Sequence, residues 1–195
     1  MKAKHFLYLI AIGLFVVSCE NSKTGSNKLP VLGTVEEAQY QFVNQDSAEV
    51  SPKTFENKIY VTDFFFTTCP TICPTMKQQM LRVYEEFENN ENVMLLSHTI
   101  DPQHDTVGVL RTYAEGLGIA SDKWMMVTGD KKEIFDIAAK YMVSALEDES
   151  QPGGLVHSGA FVLIDQNKKI RGYYDGTKEM ETNELIDDMK VLLNE

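Results

Sequence analysis

Apolar and polar positions along the chain follow two spacings, one typical of buried strands and one typical of amphipathic helices. Residues 58–66 are almost all β-branched or aromatic, which predicts a buried strand. Residues 75–87 place apolar side chains three or four positions apart, which predicts a helix with one buried face. Similar patterns predict short strands at 40–43 and 49–50, strands at 93–100, 124–127, 158–164 and 168–174, and helices from Asp105 to near Gly116, at 130–141 and at 182–193.

The order of these elements indicates how the strands are arranged. The first half alternates strand, helix and strand, and such units join parallel strands through right-handed crossovers. The segments 158–164 and 168–174 flank a turn-prone Asp-Gln-Asn sequence and predict a hairpin, which adds antiparallel strands. We therefore predict an α/β fold: a mixed central sheet flanked by helices, in a thioredoxin-like arrangement.

Two cysteines lie where the first long strand meets its helix. Cys69 and Cys73 are each followed by proline. If both lie in the first turn of the helix, their thiols share one face, because positions i and i+4 are neighbours. A helix N-terminus favours negative charge, so both thiols are expected to ionise readily. A structural disulfide across so short a loop would add little stability. The pair therefore predicts either a site for a soft metal ion or a dithiol/disulfide couple.

The N-terminus predicts export and a lipid anchor. Residues 1–18 join a basic start to an apolar run too short to span a bilayer as a helix, which is typical of a signal peptide. The Val-Val-Ser-Cys sequence at residues 16–19 resembles the lipobox of bacterial lipoproteins, so Cys19 is the predicted lipidation site. Residues 19–35 would form a lipid-anchored tether and residues 36–195 one folded domain. We expect an envelope lipoprotein whose domain faces the periplasm.

The charge balance excludes some classes of partner. The chain has 29 acidic and 18 basic side chains, a net charge of −11, and removal of Lys2 and Lys4 with the signal peptide makes it more negative. So acidic a surface repels nucleic acid and anionic lipid headgroups. We therefore expect no nucleic-acid partner, and membrane contact through lipid rather than through charge.

Three sequence blocks resemble one known family. Residues 63–74 (DFFFTTCPTICP) resemble the F-x-x-T-x-C-P-x-x-C-P signature of the SCO/SenC family. Residues 97–106 (SHTIDPQHDT) resemble its S-x-D-P-x-x-D-T block with one extra residue, and residues 156–165 resemble the block that carries its ligand histidine. Members of this family are membrane-attached copper-binding proteins of thioredoxin fold, linked to the assembly of cytochrome c oxidase. The likeness covers most of residues 30–195.

The resemblance implies a ligand set and a role. It implies that Cys69, Cys73 and His157 bind one copper ion, Cu(I) or Cu(II), which is chemistry that two thiolates and an imidazole suit. Many members have an acidic residue before the ligand histidine, where this chain has Val156, so the partner that orients the ring is left open. The implied partners are the copper-bearing subunit of cytochrome c oxidase and an upstream copper donor or thiol reductant.

Three functions are compatible with these residues. The first is delivery of copper to the oxidase by ligand exchange. The second is a thiol–disulfide oxidoreductase that keeps the oxidase's copper-site cysteines reduced, with Cys69 as the attacking thiolate and Cys73 as the resolving one. A peroxiredoxin-like peroxidase is a weaker alternative, because the second cysteine and the missing peroxidase context count against it.

The remaining chemically active residues have simpler interpretations. His98 and His104 are expected to serve strand packing and loop solvation, and Asp101 and Asp105 to cap the helix near Thr106. Asp130 and Thr182 are expected to cap the helices at 130–141 and 182–193. Met76 and Met80 could supply thioether ligands but are expected in the core. The chain contains no G-x-S-x-G nucleophile motif and no phosphate-binding glycine loop.

Overall fold

The computed structural model describes residues 28–35, 38–148, 150 and 154–195. The predicted signal peptide, Cys19 and the first part of the tether lie outside these residues. In the described part, ten strands and four α-helices form the fold. The strands are β1 Gly33–Thr34, β2 Phe42–Asn44, β3 Glu49–Val50, β4 Ile59–Phe65, β5 Val93–Thr99, β6 Trp124–Thr128, β7 Ala145–Glu147, β8 Leu155–His157, β9 Ala160–Ile164 and β10 Lys169–Asp175. The helices are α1 Cys73–Phe87, α2 Val107–Leu117, α3 Lys131–Lys140 and α4 Glu179–Leu192.

The main sheet has eight strands in the order β1-β10-β9-β4-β5-β6-β2-β3. Its centre, β4, β5 and β6, is parallel, and β9, β10 and β2 pair antiparallel with their neighbours. Every residue of β4 and β5 is buried, as expected of parallel strands covered on both faces. The predicted mixed sheet flanked by helices, with its thioredoxin-like order, is confirmed.

Two short pairings were not predicted. β1 pairs with β10 at the sheet edge, so the sheet includes the end of the segment predicted to be tether. β7 and β8 form a separate two-stranded hairpin on either side of a segment that is rich in acidic residues, Pro and Gly. Strands of two or three residues are too short to show an alternating pattern by themselves, and β2 and β3 were predicted because they flank the turn-prone residues 44–47. The β7–β8 hairpin matters because His157 is its last residue.

The predicted helix caps were correct for one helix and wrong for two. Asp130 caps α3 by accepting the N–H of Glu133. Thr106, not Asp101 or Asp105, caps α2. Thr182 does not cap α4, which begins three residues earlier, at Glu179. The Thr182 side chain is buried inside that helix, and its hydroxyl donates to a backbone carbonyl one turn back.

His98 is a core residue, as its position in a predicted strand suggested. It has no exposed surface, and the rings of Tyr40, Phe42, Phe64 and Tyr141 surround it, with Phe64 stacked at 4.9 Å between ring centroids. Among the described residues, neither imidazole nitrogen has a hydrogen-bond partner. Burial disfavours the charged ring and lowers the pKa of His98 to about 3.

This histidine is expected to make the fold sensitive to acid. Below pH 6.5 the unfolded chain binds a proton that the folded chain rejects, so the contribution of His98 to stability is lost as pH falls toward 3. Between pH 7 and pH 4, His98→Leu should remove roughly 3 kcal/mol of the fall in unfolding free energy. Urea unfolding at both pH values measures this. His104→Leu is the control, because His104 is exposed, and an equal effect in both variants would contradict the assignment.

Candidate metal centre

The Cys-bearing segment is a loop followed by a helix start, not one helical turn. β4 ends at Phe65 and α1 begins at Cys73, with Pro74 in its first turn, where a missing N–H costs little. Cys69 lies in the loop before the helix, and its N–H donates to the carbonyl oxygen of Phe66 at 3.2 Å. The prediction that both cysteines lie on one helical face is therefore wrong. The two thiols nevertheless converge, one from the loop and one from the first position of α1.

The structure brings the three predicted ligands together. One donor atom each from Cys69, Cys73 and His157 lies within 4.8 Å of the other two. The closest contact joins Cys73 Sγ and His157 Nε2 at 3.1 Å. All three residues are buried, and neither cysteine forms a disulfide. Within the described residues, no other group of three His, Cys, Asp or Glu side chains lies close enough to hold a metal.

A backbone carbonyl orients the histidine ring. His157 Nδ1 lies 2.9 Å from the carbonyl oxygen of Ser158. Because a carbonyl oxygen can only accept, Nδ1 carries a proton, and Nε2 is the ring nitrogen that faces Cys73 Sγ. Metal-binding histidines are commonly held in this way by a carbonyl or a carboxylate. The Ser158 carbonyl therefore orients the His157 ring, a role that an acidic residue at position 156 could also fill.

The two thiols differ in how readily they ionise. Burial acts against ionisation of Cys69, but hydrogen bonds from His157, Cys73 and backbone N–H groups outweigh it and lower the pKa of Cys69 to about 5. Burial raises the pKa of Cys73 well above its usual range, and the adjacent Cys69 raises it further. The predicted easy ionisation therefore applies to Cys69 and is wrong for Cys73, whose environment excludes water.

A small cavity of about 100 Å³ opens beside the sulfurs. Cys69 and His157 line it, whereas Cys73 does not and is the least exposed of the three, at 2%. The other lining residues are Phe66, Thr71, Ile72, Leu155 and Val156. The cavity can admit one small ligand or side chain, but not a folded segment. Access to the centre therefore passes Cys69 and His157 before Cys73.

A buried ion pair lies near the centre and was not predicted. Lys77, one helical turn after Cys73, donates to Asp63 Oδ2 at 2.7 Å and to Ser97 Oγ at 3.1 Å. Its ammonium group also lies 4.1 Å from the centroid of the Phe65 ring. Both charges are almost fully buried, so each depends on the other. The sequence did contain a signal for this pair, because Asp63 interrupts the apolar strand β4 and Lys77 lies on the buried face of α1.

The remaining candidates take structural places. Met76 and Met80 have no exposed surface and belong to the core, as expected. His104 is exposed in the loop before α2. No helix within the described residues has the length and apolar character needed to cross a membrane.

Comparison with known proteins points to one family. Residues 32–194 match the family model SCO1/SenC. A curated relative, the SCO1 protein homolog of Bacillus subtilis, is 28% identical over 181 residues, covering 92% of this chain and 91% of the relative.

Solved structures of SCO/Sco proteins have the same fold as this chain. A SCO1/SenC family lipoprotein from Bacillus anthracis superposes with a TM-score of 0.72 at 29% identity, covering 80% of this chain and 93% of the other. BsSco, described as a member of the Sco family of cytochrome c oxidase assembly proteins with a disulfide switch, gives 0.73 at 26%, covering 85% and 97%. Copper-bound ScoI of Arabidopsis thaliana shares the fold, with 0.65 at 22%, covering 78% and 96%.

Proposed function

The chain belongs to the SCO1/SenC family, and on that premise we propose that it binds one copper ion through Cys69, Cys73 and His157 and delivers copper to cytochrome c oxidase during assembly. The observation that carries the proposal is the convergence of two sulfurs and one imidazole nitrogen within 4.8 Å. It is supported by the family and by a relative whose name refers to oxidase assembly.

The donor set suits copper in both oxidation states. Two thiolates satisfy Cu(I), a soft ion that accepts low coordination, and the imidazole helps to hold Cu(II). The centre needs little rearrangement for this, since Nε2 of His157 already points at Cys73. Binding requires the thiolate forms, so the thiol proton of Cys73 would leave as the metal enters.

Delivery would proceed by ligand exchange at the cavity. An incoming thiolate can enter beside Cys69 and His157, displace one of them, and leave the copper bound to Cys73 until the partner supplies its next ligand. The copper therefore stays coordinated throughout. The fitting receiver is the copper-bearing subunit of the oxidase, and an upstream copper donor would load the centre by the reverse exchange.

A transfer experiment tests this function. The copper-loaded protein is mixed with the copper-free, prereduced receiver subunit, and the copper content of each is measured after separation. We expect the copper to be found on the receiver subunit. None should be bound to a low-molecular-weight chelator that is present as a competitor. Copper that stays on this chain, or reaches the receiver only through the chelator, would contradict delivery.

A thiol–disulfide oxidoreductase is the second candidate, and the difference between the two cysteines favours it. Cys69 is the readily ionised thiol beside the cavity, whereas Cys73 lies deeper, an arrangement that suits attack by Cys69 and resolution by Cys73. In that reaction the reduced protein gives two electrons to the receiver's disulfide and acquires its own. The metal-free reduced chain would then reduce the receiver, which mass measurement of both proteins detects.

We also propose a lipid anchor at Cys19, with the domain in the bacterial envelope facing the periplasm. The sequence pattern supports it, and so does the lipoprotein from Bacillus anthracis. The anchor and the copper centre are expected to be independent, because the sequence of residues 20–28 is polar and predicts a flexible tether.

Cys19→Ser is expected to release the protein from membranes or to block its processing, while the copper affinity stays unchanged. Several acyl chains hold firmly, so the wild-type protein should resist high salt and be extracted only by detergent. Mass spectrometry of the mature N-terminus measures the modification directly. An unmodified residue 19 at the mature N-terminus would refute the anchor and leave the copper centre unaffected.

A further inference from the structure

One buried carboxylate beside the Cys-bearing loop has no role in the proposed chemistry. Asp105 lies between β5 and α2 and has no exposed surface. Thr106 caps α2, so Asp105 is not needed for the helix start. Among the described residues, no lysine or arginine forms an ion pair with it. A buried carboxylate is costly unless hydrogen bonds satisfy it.

The bonds that satisfy Asp105 come from the Cys-bearing loop and from the end of β5. Its Oδ2 accepts the backbone N–H of Thr67 at 3.0 Å, and its Oδ1 accepts the Thr67 hydroxyl. Oδ2 also accepts the hydroxyl of Thr99, the last residue of β5, at 2.5 Å. We call Thr67, Thr99 and Asp105 the loop clamp. Hydrogen bonds to a charged acceptor are about twice as strong as neutral ones, so the clamp resists displacement.

Of the three proposed ligands, only Cys69 lies outside a helix or strand, and the clamp holds the loop that carries it. Cys73 is part of α1, and His157 is part of β8. Cys69 lies in the loop, two residues after Thr67, and its own N–H bonds back to the Phe66 carbonyl. The loop is therefore attached on both sides of Cys69: two residues before it, at Thr67, and after it, where α1 begins.

We propose that Asp105 is a positioning residue for the metal centre, holding the loop so that the Cys69 sulfur stays within reach of Cys73 and His157. The expected loss of copper affinity rests on the proposed function, whereas the placement of Cys69 rests on geometry alone. Releasing the clamp leaves Cys73 and His157 in place and lets Cys69 move away from them.

The first test measures copper. In the purified protein, Asp105→Asn removes the charge and one acceptor, and we expect Cu(II) affinity to fall about 10- to 100-fold, as for other groups that orient ligands. The thiolate-to-copper absorption should weaken at saturation. Asp165→Asn is the control, since Asp165 is also buried and accepts backbone N–H groups, but at the far end of β9, where it also pairs with Arg171. Equal losses in both variants would overturn the proposal.

The second test needs no metal and so does not depend on the copper function. The metal-free protein is equilibrated with glutathione disulfide, which oxidises Cys69 and Cys73 to a disulfide and yields two reduced glutathione molecules. We expect the equilibrium constant for disulfide formation to fall about three- to tenfold in Asp105→Asn, because the effective concentration of one thiol at the other falls. An unchanged constant would overturn the proposal even if copper binds as expected.

Thr67 provides variants that keep the carboxylate. Thr67→Val removes the hydroxyl but not the N–H, and should shift both readouts in the same direction as Asp105→Asn, by less. Thr67→Ser restores the hydroxyl and should restore both readouts. Combining Thr67→Val with Asp105→Asn should add little to the loss from Asp105→Asn alone, because both break the same contact. Fully additive losses, or a serine variant that behaves like the valine variant, would contradict the clamp.

Discussion

Replacing Cys69 and Cys73 together with serine is expected to abolish copper binding. The two thiolates are the soft ligands on which Cu(I) binding depends, and the imidazole of His157 alone cannot hold either ion tightly. In the wild-type protein we expect one copper per chain and, with Cu(II), an intense thiolate-to-copper absorption. Titration followed by absorption and by metal analysis of the desalted protein measures both.

Two controls make this result specific. Met76→Leu removes a buried sulfur from the same helix and should leave copper binding unchanged, since Met76 lies in the core. Oxidation to a Cys69–Cys73 disulfide consumes both thiolates, so the oxidised protein should bind no copper until it is reduced. Copper uptake by a sample shown by mass to be disulfide-bonded would refute the assignment.

Replacing His157 with alanine should weaken Cu(II) binding far more than Cu(I) binding. The harder Cu(II) ion needs the nitrogen ligand, whereas two thiolates suffice for Cu(I). Because His157 would contact the metal directly, the loss for Cu(II) should exceed the roughly 10- to 100-fold typical of groups that only orient a ligand. Competition titrations with chelators of known affinity measure each ion separately.

His104→Ala is the matched control, because His104 is exposed and does not belong to the group formed by Cys69, Cys73 and His157. His157→Gly leaves room beside the cavity, so free imidazole should restore part of the Cu(II) absorption. Equal losses for Cu(I) and Cu(II) in His157→Ala would mean that His157 supports the fold rather than the metal.

The parts of the fold that depend on long apolar patterns were predictable. β4, β5 and α1 contain enough buried positions to reveal their spacing, and their order implied the parallel centre of the sheet. The β7–β8 hairpin was not predictable, because each strand has only three residues and the segment between them has the composition of a loop.

The candidate site was predictable only in part. The two cysteines are close in sequence, and their position after a predicted strand was enough to indicate a metal site or a redox couple. His157 lies far along the chain, in a strand that the pattern does not show, so only the family resemblance pointed to it. Which thiol ionises more easily depends on burial and on the hydrogen bonds that each sulfur receives, and the sequence pattern shows neither.

The loop clamp shows a further limit of sequence reasoning. An aspartate just before a helix is most simply interpreted as its cap, and Asp105 has that position. Thr106, one residue later, takes the cap, and the carboxylate turns to Thr67, which is distant in sequence. The buried pair of Lys77 and Asp63 is similar, because spacing alone does not show which polar side chains meet inside a core.

X-ray absorption at the copper edge tests the central claim most directly, because it counts the atoms bound to the metal. The Cu(I)-loaded, reduced protein is predicted to show two sulfur neighbours and one nitrogen neighbour, with loss of the nitrogen in His157→Ala and no protein-bound copper when Cys69 and Cys73 are replaced by serine. A spectrum with only oxygen or nitrogen neighbours, or a sulfur signal that survives the double serine replacement, would contradict the account.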